Sequence, residues 1–449
     1  MARLRISTFT DELFGLGRLA ASDTRATSHE KDAFDFNEPP ASAAGSSHPR
    51  LGVIARRDFI VALAAAGLAP AALGGRAEAQ VAALGSALVL SGGGARGAYQ
   101  AGVVGALAAT SRIPDGSPLP PYEVVCGTSI GALNGWFVAT GQYTTLRRLW
   151  YGIAGQDLIR LKERYAALRD PESGVLDRAA AAFRLMGLRK DQSALLESEP
   201  VYNWIVRNLD PKVPLVMPLI WAVTNLTHQR PEYFFVDPHE RATEFRARFM
   251  KALQISLGPQ TVVREATPDL LHRAIFASAA IPIAFDPVPM PGPNGDVNLY
   301  CDGGVASNSP VAIAHSIAHA ADVVLLDPPF EPDENLNDAV EVAFSAYGTM
   351  QRKLLEVEMR TAYFQSMGSR AFRHLPRRDL VQMTRGNQLA VSYVESVPET
   401  DLRYIRPVKE LPVSVAGFND ATGIDQTLQL GWLDVARGFT PYDWRTFVL

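Results

Sequence analysis

Tyr122-Glu123-Val124-Val125-Cys126-Gly127-Thr128-Ser129-Ile130-Gly131-Ala132-Leu133 reads as an apolar strand that breaks at a glycine, passes a serine and resumes as a helix. A serine flanked two residues each way by glycine, between a strand and a helix, is the sequence form of a nucleophile elbow. Gly127 and Gly131 matter because so tight a turn has no room for Cβ atoms, and it lifts the Ser129 hydroxyl clear of the sheet at a helix N-terminus. Ser129 is therefore the first candidate catalytic residue.

Upstream, the short apolar run Ala87-Leu88-Val89-Leu90 leads into Ser91-Gly92-Gly93-Gly94-Ala95-Arg96-Gly97 and then an Ala/Gly-rich helix over residues 98–108. Strand, glycine loop, helix, strand, elbow and helix give a β-α-β-α order, which implies an α/β fold with a mainly parallel sheet covered on both faces. Further short apolar strands are expected at 219–223, 232–236 and 322–327. Successive glycines between a strand and a helix let bare backbone N–H groups point at one spot, so Gly92, Gly93 and Gly94 suit an oxyanion loop. The same segment spells Gly92-x-Gly94-x-x-Gly97, the dinucleotide-binding pattern, which wants an acidic residue about 20 positions on at the end of the second strand. That position is Ser117 in a Pro-rich loop, and the second strand ends instead in Cys126 before the elbow, so no nucleotide is expected.

A serine nucleophile needs a base. Asp302, in Leu299-Tyr300-Cys301-Asp302-Gly303-Gly304-Val305-Ala306-Ser307-Asn308-Ser309-Pro310, ends an apolar run before two glycines, which puts its carboxylate at a strand's C-terminal end, where α/β sheets place their sites. His315 or His319 would instead complete a Ser, acid, His order. Both fall in an Ala-rich stretch, 312–321, that reads as a helix, and at an i, i+4 spacing they could also face a metal, for which no third ligand is suggested. They read as ordinary helix-face histidines.

Gly-Gly-Gly-Ala-Arg-Gly at 92–97, Gly-Thr-Ser-Ile-Gly at 127–131 and Asp-Gly-Gly at 302–304, in that order, resemble the patatin-like phospholipase family in its bacterial branch. Val223-Thr224-Asn225-Leu226-Thr227, Ala277-Ser278-Ala279-Ala280-Ile281-Pro282 before Phe285, and Asn308-Ser309-Pro310 are secondary matches, so the resemblance covers about residues 85–330. It implies a three-layer α/β/α sandwich and a serine acyl hydrolase that cleaves carboxylic ester bonds of lipid through a Ser-Asp dyad, without histidine, metal or organic cofactor. Carried over, Ser129 is the nucleophile and Asp302 the base that also orients it. Gly92, Gly93 and Gly94 form the oxyanion loop, with Gly127, Gly131, Gly303 and Gly304 as supporting motif glycines. Arg96, beside Gly97, fixes that loop, meets a lipid phosphate, or forms a structural salt bridge. The implied partners are a lipid or ester substrate and a transient membrane-surface contact. The rival readings are an esterase with a Ser-Asp-His triad and a non-catalytic lipid-binding protein on the same fold.

Composition sets the frame: 449 residues, 47% hydrophobic and 20% charged with a net charge of -4, describe an ordinary globular chain with no basic surplus for nucleic acid. Two cysteines, Cys126 and Cys301, exclude a disulfide framework and read as buried small hydrophobes. Residues 140–215 read as amphipathic helices, either surface helices packing on the sheet or a cap over the active site that touches lipid, within a domain expected at 80–335, and 336–449 read as a helical and mixed extension packing on it. Residues 1–50 are rich in Ala, Ser, Asp and Pro without a sustained hydrophobic period. Arg56-Arg57 then precede an uncharged stretch, 59–75, and Ala77-Glu78-Ala79 offers a cleavage site, which together resemble a twin-arginine export signal within residues 1–79. The expected product is an exported chain beginning at Gln80, checked by intact mass of the protein recovered from its host; an uncleaved chain in the cytosol is the opposing result.

Overall fold

The computed structural model describes residues 84–168, 194–238, 261–328, 339–383, 386, 391 and 399–447. The export-signal reading and residues 169–193 of the expected cap lie outside these. In chain order the elements are β1 (Leu84–Leu90), α1 (Ala98–Thr110), β2 (Tyr122–Thr128), α2 (Ile130–Ala139), α3 (Tyr143–Gly152), α4 (Glu199–Asn208), β3 (Leu219–Asn225), β4 (Arg230–Val236), β5 (Val262–Glu265), α5 (Pro268–Ala279), β6 (Val288–Pro291), β7 (Val297–Asp302), α6 (Val311–Ile317), β8 (Ala318–Val324), α7 (Ala339–Arg373), α8 (Arg377–Met383), β9 (Asp401–Ile405), α9 (Ala421–Asp434) and β10 (Thr440–Pro441).

One sheet runs β10-β9-β8-β1-β2-β3-β4-β5, with β7 also on β3 and β6 on β7. The pairs β9/β8, β8/β1, β1/β2, β2/β3 and β4/β5 are parallel. Strand alternation separates two apolar layers. Leu88, Leu90, Val125, Trp221 and Val223 face one side with residues of α1, α2, α5 and α9. Ala87, Val89, Cys126, Ile220 and Val323 face the other with α6 and with Leu355, Met359 and Ala362 of α7. The result is the three-layer α/β/α arrangement that the strand and helix order implies.

Two expectations shift. The segment read as helix over 312–321 is helical only to Ile317, and from Ala318 it is β8, whose backbone pairs with β1 on one side and β9 on the other. Two ladders of backbone hydrogen bonds override the helix preference of its alanines. The C-terminal segment is also more than an extension, because β9 and β10 belong to the central sheet and α9 packs on α1 so closely that a Cβ on Gly431 would overlap the Tyr99 carbonyl oxygen.

A half-buried ion pair fixes this C-terminal strand. Arg403 on β9 grips Asp322 of β8 with two hydrogen bonds, 2.6 and 2.9 Å, and Tyr122 of β2 donates to the same carboxylate at 2.8 Å. Asp322 is only 3% exposed, so removing its cation leaves a buried charge with a single hydroxyl donor. Arg403→Met is expected to lower stability by about 2 to 4 kcal/mol in urea denaturation, at the weaker end because the arginine itself touches solvent, with Asp322→Asn in the same background restoring part of the loss.

Candidate active site

The elbow forms as the sequence requires. β2 ends at Thr128, α2 begins at Ile130, and Ser129 between them has φ 56° and ψ -124°, a sparsely populated conformation for a residue with a side chain. The turn is tight: a Cβ on Gly131 would overlap the carbonyl oxygen of Leu90, and one on Gly127 would overlap that of Gly131. Hydrogen bonds hold the strained residue in place. The Ser129 amide donates to Ser278 Oγ at 2.8 Å, Ser278 Oγ donates to the Ala222 carbonyl at 2.7 Å, and Thr128 Oγ1 donates to the Ser307 carbonyl at 2.9 Å.

Asp302 arrives along the same strand edge from the opposite direction. On β3, Ala222 is paired by Thr128 of parallel β2, and the next residue, Val223, by Asp302 of antiparallel β7. The two strands therefore meet end to end on β3, which sets the carboxylate beside Ser129. The Asp302 backbone is pinned by its own amide to the Ala280 carbonyl at 2.8 Å and by Thr224 Oγ1 to its carbonyl at 2.9 Å. Its Oδ1 accepts from the Gly304 amide at 2.6 Å and from the Tyr347 hydroxyl at 3.1 Å. Burial pushes the carboxyl up to about 6, against hydrogen bonds from Ser129, Gly304 and Tyr347 that hold it down. Among the described residues Oδ2 has no partner at full hydrogen-bonding geometry, so the Ser129 contact is a loose one.

The glycine loop after β1 lies against this pair, since a Cβ on Gly92 would come within 3.3 Å of the Ser129 Cβ. One expectation is corrected here. The Gly92 amide donates to the Asn308 carbonyl at 3.0 Å, so Gly92 cannot also serve an oxyanion. The amides of Gly93 and Gly94 find no partner among the described residues, and Gly94, at φ 57°, sits where a Cβ would overlap the Val415 carbonyl oxygen. Arg96 resolves in favour of its structural role. It pairs with Asp327 at 3.1 Å, and Arg352 of α7 reaches the same carboxylate at 3.3 Å. Gly97 abuts Ile130 and Trp150, fitting α1 against the elbow helix. Gly303 packs on the Ala222 carbonyl and Gly304 beside Gln351.

The family model for patatin-like phospholipase matches residues 88–315, just over half of the chain, and takes in the loop, the elbow and Asp302. The chain belongs to the patatin-like phospholipase family. No curated protein sequence matches it. Among solved structures, VipD from Legionella pneumophila aligns at 13% identity with a TM-score of 0.31, covering 84% of this chain and 73% of VipD.

In this patatin-like domain a cleft of about 700 Å3, counted out to its open mouth, leads to Ser129. Its walls are Leu133 of the elbow helix, Ile153, Leu158, Ile159, Leu196, Val201, Trp204 and Ile205 of the cap region, Ile281, Ala284 and Phe285 after α5, and Val415 and Phe418 of the C-terminal segment. Ser129 is the one hydroxyl or charged side chain among the described residues that line it.

The histidines lie elsewhere. His315 is buried with neither ring nitrogen hydrogen-bonded, and burial lowers it to about 4, which keeps it neutral. His319 is exposed on β8, so the two do not share a helix face, and neither bonds the Asp302 carboxyl. Among the described residues no cluster of three His, Cys, Asp or Glu side chains could hold a metal ion. Cys126 and Cys301 are buried thiols whose pKa burial raises, the latter to about 12.

The sequence reading missed the supports. Ser278 lies in a segment matched to the family, yet its hydroxyl gives no sign there of steadying the nucleophile. Tyr347, Gln351 and Glu358 carry no local signal, because their partners are distant in sequence. Glu358 of α7 accepts from Ser307 Oγ at 2.5 Å and from the Ser309 amide at 3.0 Å, bracing the loop after Asp302.

Burial raises the folded Asp302 above its ordinary 3.8, so the protonated acid is the form folding favours. That stability is full below pH about 3.8 and lost as pH rises through about 6. Asp302→Asn, which cannot ionise, should match wild type near pH 4 and exceed it by on the order of 2 kcal/mol above pH 7, as measured by chemical denaturation at the two pH values.

Proposed function

We propose that this chain is a serine acyl hydrolase that cleaves carboxylic ester bonds of phospholipid or other lipid through an acyl-Ser129 intermediate, with Asp302 as the only general base. The carrying observation is the apolar cleft that ends on one hydroxyl beside a buried carboxylate. A fatty acyl chain fits such walls, since burying each methylene contributes about 0.8 kcal/mol, and the reacting carbonyl then lies at Ser129.

Ser129 Oγ attacks the ester carbonyl as its proton passes to Asp302, and the amides of Gly93 and Gly94 receive the developing oxyanion. The tetrahedral adduct collapses, the alcohol leaves with the proton from Asp302, and the acyl group remains on Ser129. Water then attacks the acyl carbonyl and gives its proton to Asp302. The second adduct collapses to free carboxylic acid, and the proton returns to Ser129. The carboxyl must be ionised at the start, and its raised pKa makes it a stronger base than an exposed aspartate while leaving it charged at neutral pH. A lipid substrate held in a bilayer brings a transient contact of the cap region with the membrane surface.

Hydrolysis of p-nitrophenyl esters from short to long acyl chains, beside a phosphatidylcholine, tests the reading. Wild-type kcat/KM should rise with chain length by up to about fourfold per methylene until the cleft is full. Ser129→Ala and Asp302→Asn should each lose at least 10³-fold, on the order seen when a nucleophile or its base is removed, and the wild-type profile should fall on the acid side of pH about 6. Turnover that survives in Ser129→Ala, or a His315→Ala variant that loses activity while Asp302→Asn keeps it, is the result against it.

A further inference from the structure

Asp302 receives help from a helix that lies beyond the residues matched to the family, and the placement of that helix is specific. α7 carries Tyr347, whose hydroxyl donates to Asp302 Oδ1 at 3.1 Å, while the Gly304 amide donates to the same oxygen at 2.6 Å. Oδ2, equally buried, has no partner at full hydrogen-bonding geometry among the described residues. The two oxygens of one carboxylate are thus made unequal by a side chain that does not line the substrate cleft.

We propose that Tyr347 is a positioning residue for the acyl transfer: by sharing Oδ1 with the Gly304 amide, it turns Oδ2 into the oxygen that takes the Ser129 proton and supports the ionised carboxylate that can do so. The proposal rests on the Ser129-Asp302 reading of the reaction.

The register of α7 is fixed along its length by contacts to the loops of the site. Gln351, one turn after Tyr347, packs on Gly304 and lies beside the phenol. Arg352 reaches Asp327, the carboxylate that also holds Arg96 of the glycine loop. Glu358 holds Ser307 and Ser309. Tyr347 is therefore delivered to Asp302 by a braced strut, and the phenol stays a donor because burial and the neighbouring carboxylate keep its pKa well above the ordinary value. Among the described residues the groups that face the Asp302 carboxyl are Ser129 from the elbow, Gly304 from the following turn, Cys301 from its own strand, and Tyr347 with Gln351 behind it from α7. No Lys, Arg or His is among them. Besides the nucleophile, Tyr347 is the one side-chain donor that can be removed without touching the backbone.

A donor to an ionised carboxylate lowers its pKa, so deleting the phenol oxygen raises it. The test is titration of Asp302 by carboxyl 13C NMR, assigned by its loss in Asp302→Asn, in wild type and Tyr347→Phe. The acid limb of kcat/KM on a soluble ester is measured beside it. We expect both midpoints to move up by roughly half to one pH unit in Tyr347→Phe, with KM unchanged because the tyrosine lies outside the cleft. Site-specific 3-fluorotyrosine at 347, a stronger donor of nearly the same shape, should move them down, and it keeps the test available if Tyr347→Phe fails to fold. A structural role alone would not give opposite shifts. An Asp302 midpoint unmoved by the phenylalanine or fluorotyrosine variant, with turnover abolished in Ser129→Ala, overturns the role of Tyr347 alone. Turnover that survives in Ser129→Ala overturns the dyad and the role of Tyr347 in the reaction with it.

Discussion

The site depends on two strands meeting end to end along a third. β2 runs parallel to β3 and β7 runs antiparallel to it, so their C-terminal ends converge between Ala222 and Val223. A chain leaving β2 must turn sharply there because β7 occupies the rest of the edge, and the strained Ser129 conformation is the form that turn takes. A chain leaving β7 must turn away for the same reason, and the two glycines after Asp302 let it do so. Sheet hydrogen bonding thereby brings a serine hydroxyl and a carboxylate together from residues 129 and 302 without help from either side chain.

What the sheet does not provide is stiffness in the glycine loop beside Ser129, and a polar chain through the core supplies part of it. Trp150 of α3 donates to Asn134 of α2 at 3.0 Å, Asn134 donates to Gln100 of α1 at 2.9 Å, and Gln100 donates to the Ser91 carbonyl at 2.7 Å. The Ser91 hydroxyl then bonds that of Ser309, whose amide is held by Glu358 of α7. Every link is a satisfied polar group, so the chain stiffens the glycine loop from both faces of the sheet. The cap region through α3, the elbow helix, the glycine loop and α7 are thus linked around Ser129 by one hydrogen-bonded chain, although only some of them carry recognisable motifs.

That distinction explains what was legible in the sequence. The elbow, the glycine loop and the Asp302 turn are local solutions to local geometry, so glycine spacing betrays them, and the strand and helix order around them is enough for the layers. The helix expected through His319 fails because alanine propensity is weak beside two backbone ladders, which connect β8 to strands far away in sequence. The α9 helix is legible only as part of a mixed extension because Gly431, which lets it lie against α1, and Gly423 interrupt its apolar pattern. Gly92 looks identical to Gly93 and Gly94 until the carbonyl of Asn308, more than 200 residues on, is seen to occupy its amide. Tyr347 is an ordinary residue of an amphipathic helix, and nothing short of the fold brings it to Asp302.

The meeting of β2 and β7 also imposes a rule of parity on the chain. The β6-β7 hairpin turns at 292–296 in solvent, where the Gly292 amide donates to the Asp296 carbonyl at 2.6 Å, so residues gained or lost there leave the strands where they are. Inside β7 the side chains alternate between faces, and the Asp302 amide is anchored to Ala280. One residue inserted between Val297 and Cys301 would either break that anchor or invert every side chain upstream of it, exchanging buried Tyr300 for a neighbour suited to the opposite face. Length variation in this fold should therefore collect in the hairpin tip, and the strand leading to the aspartate should behave as a fixed ruler.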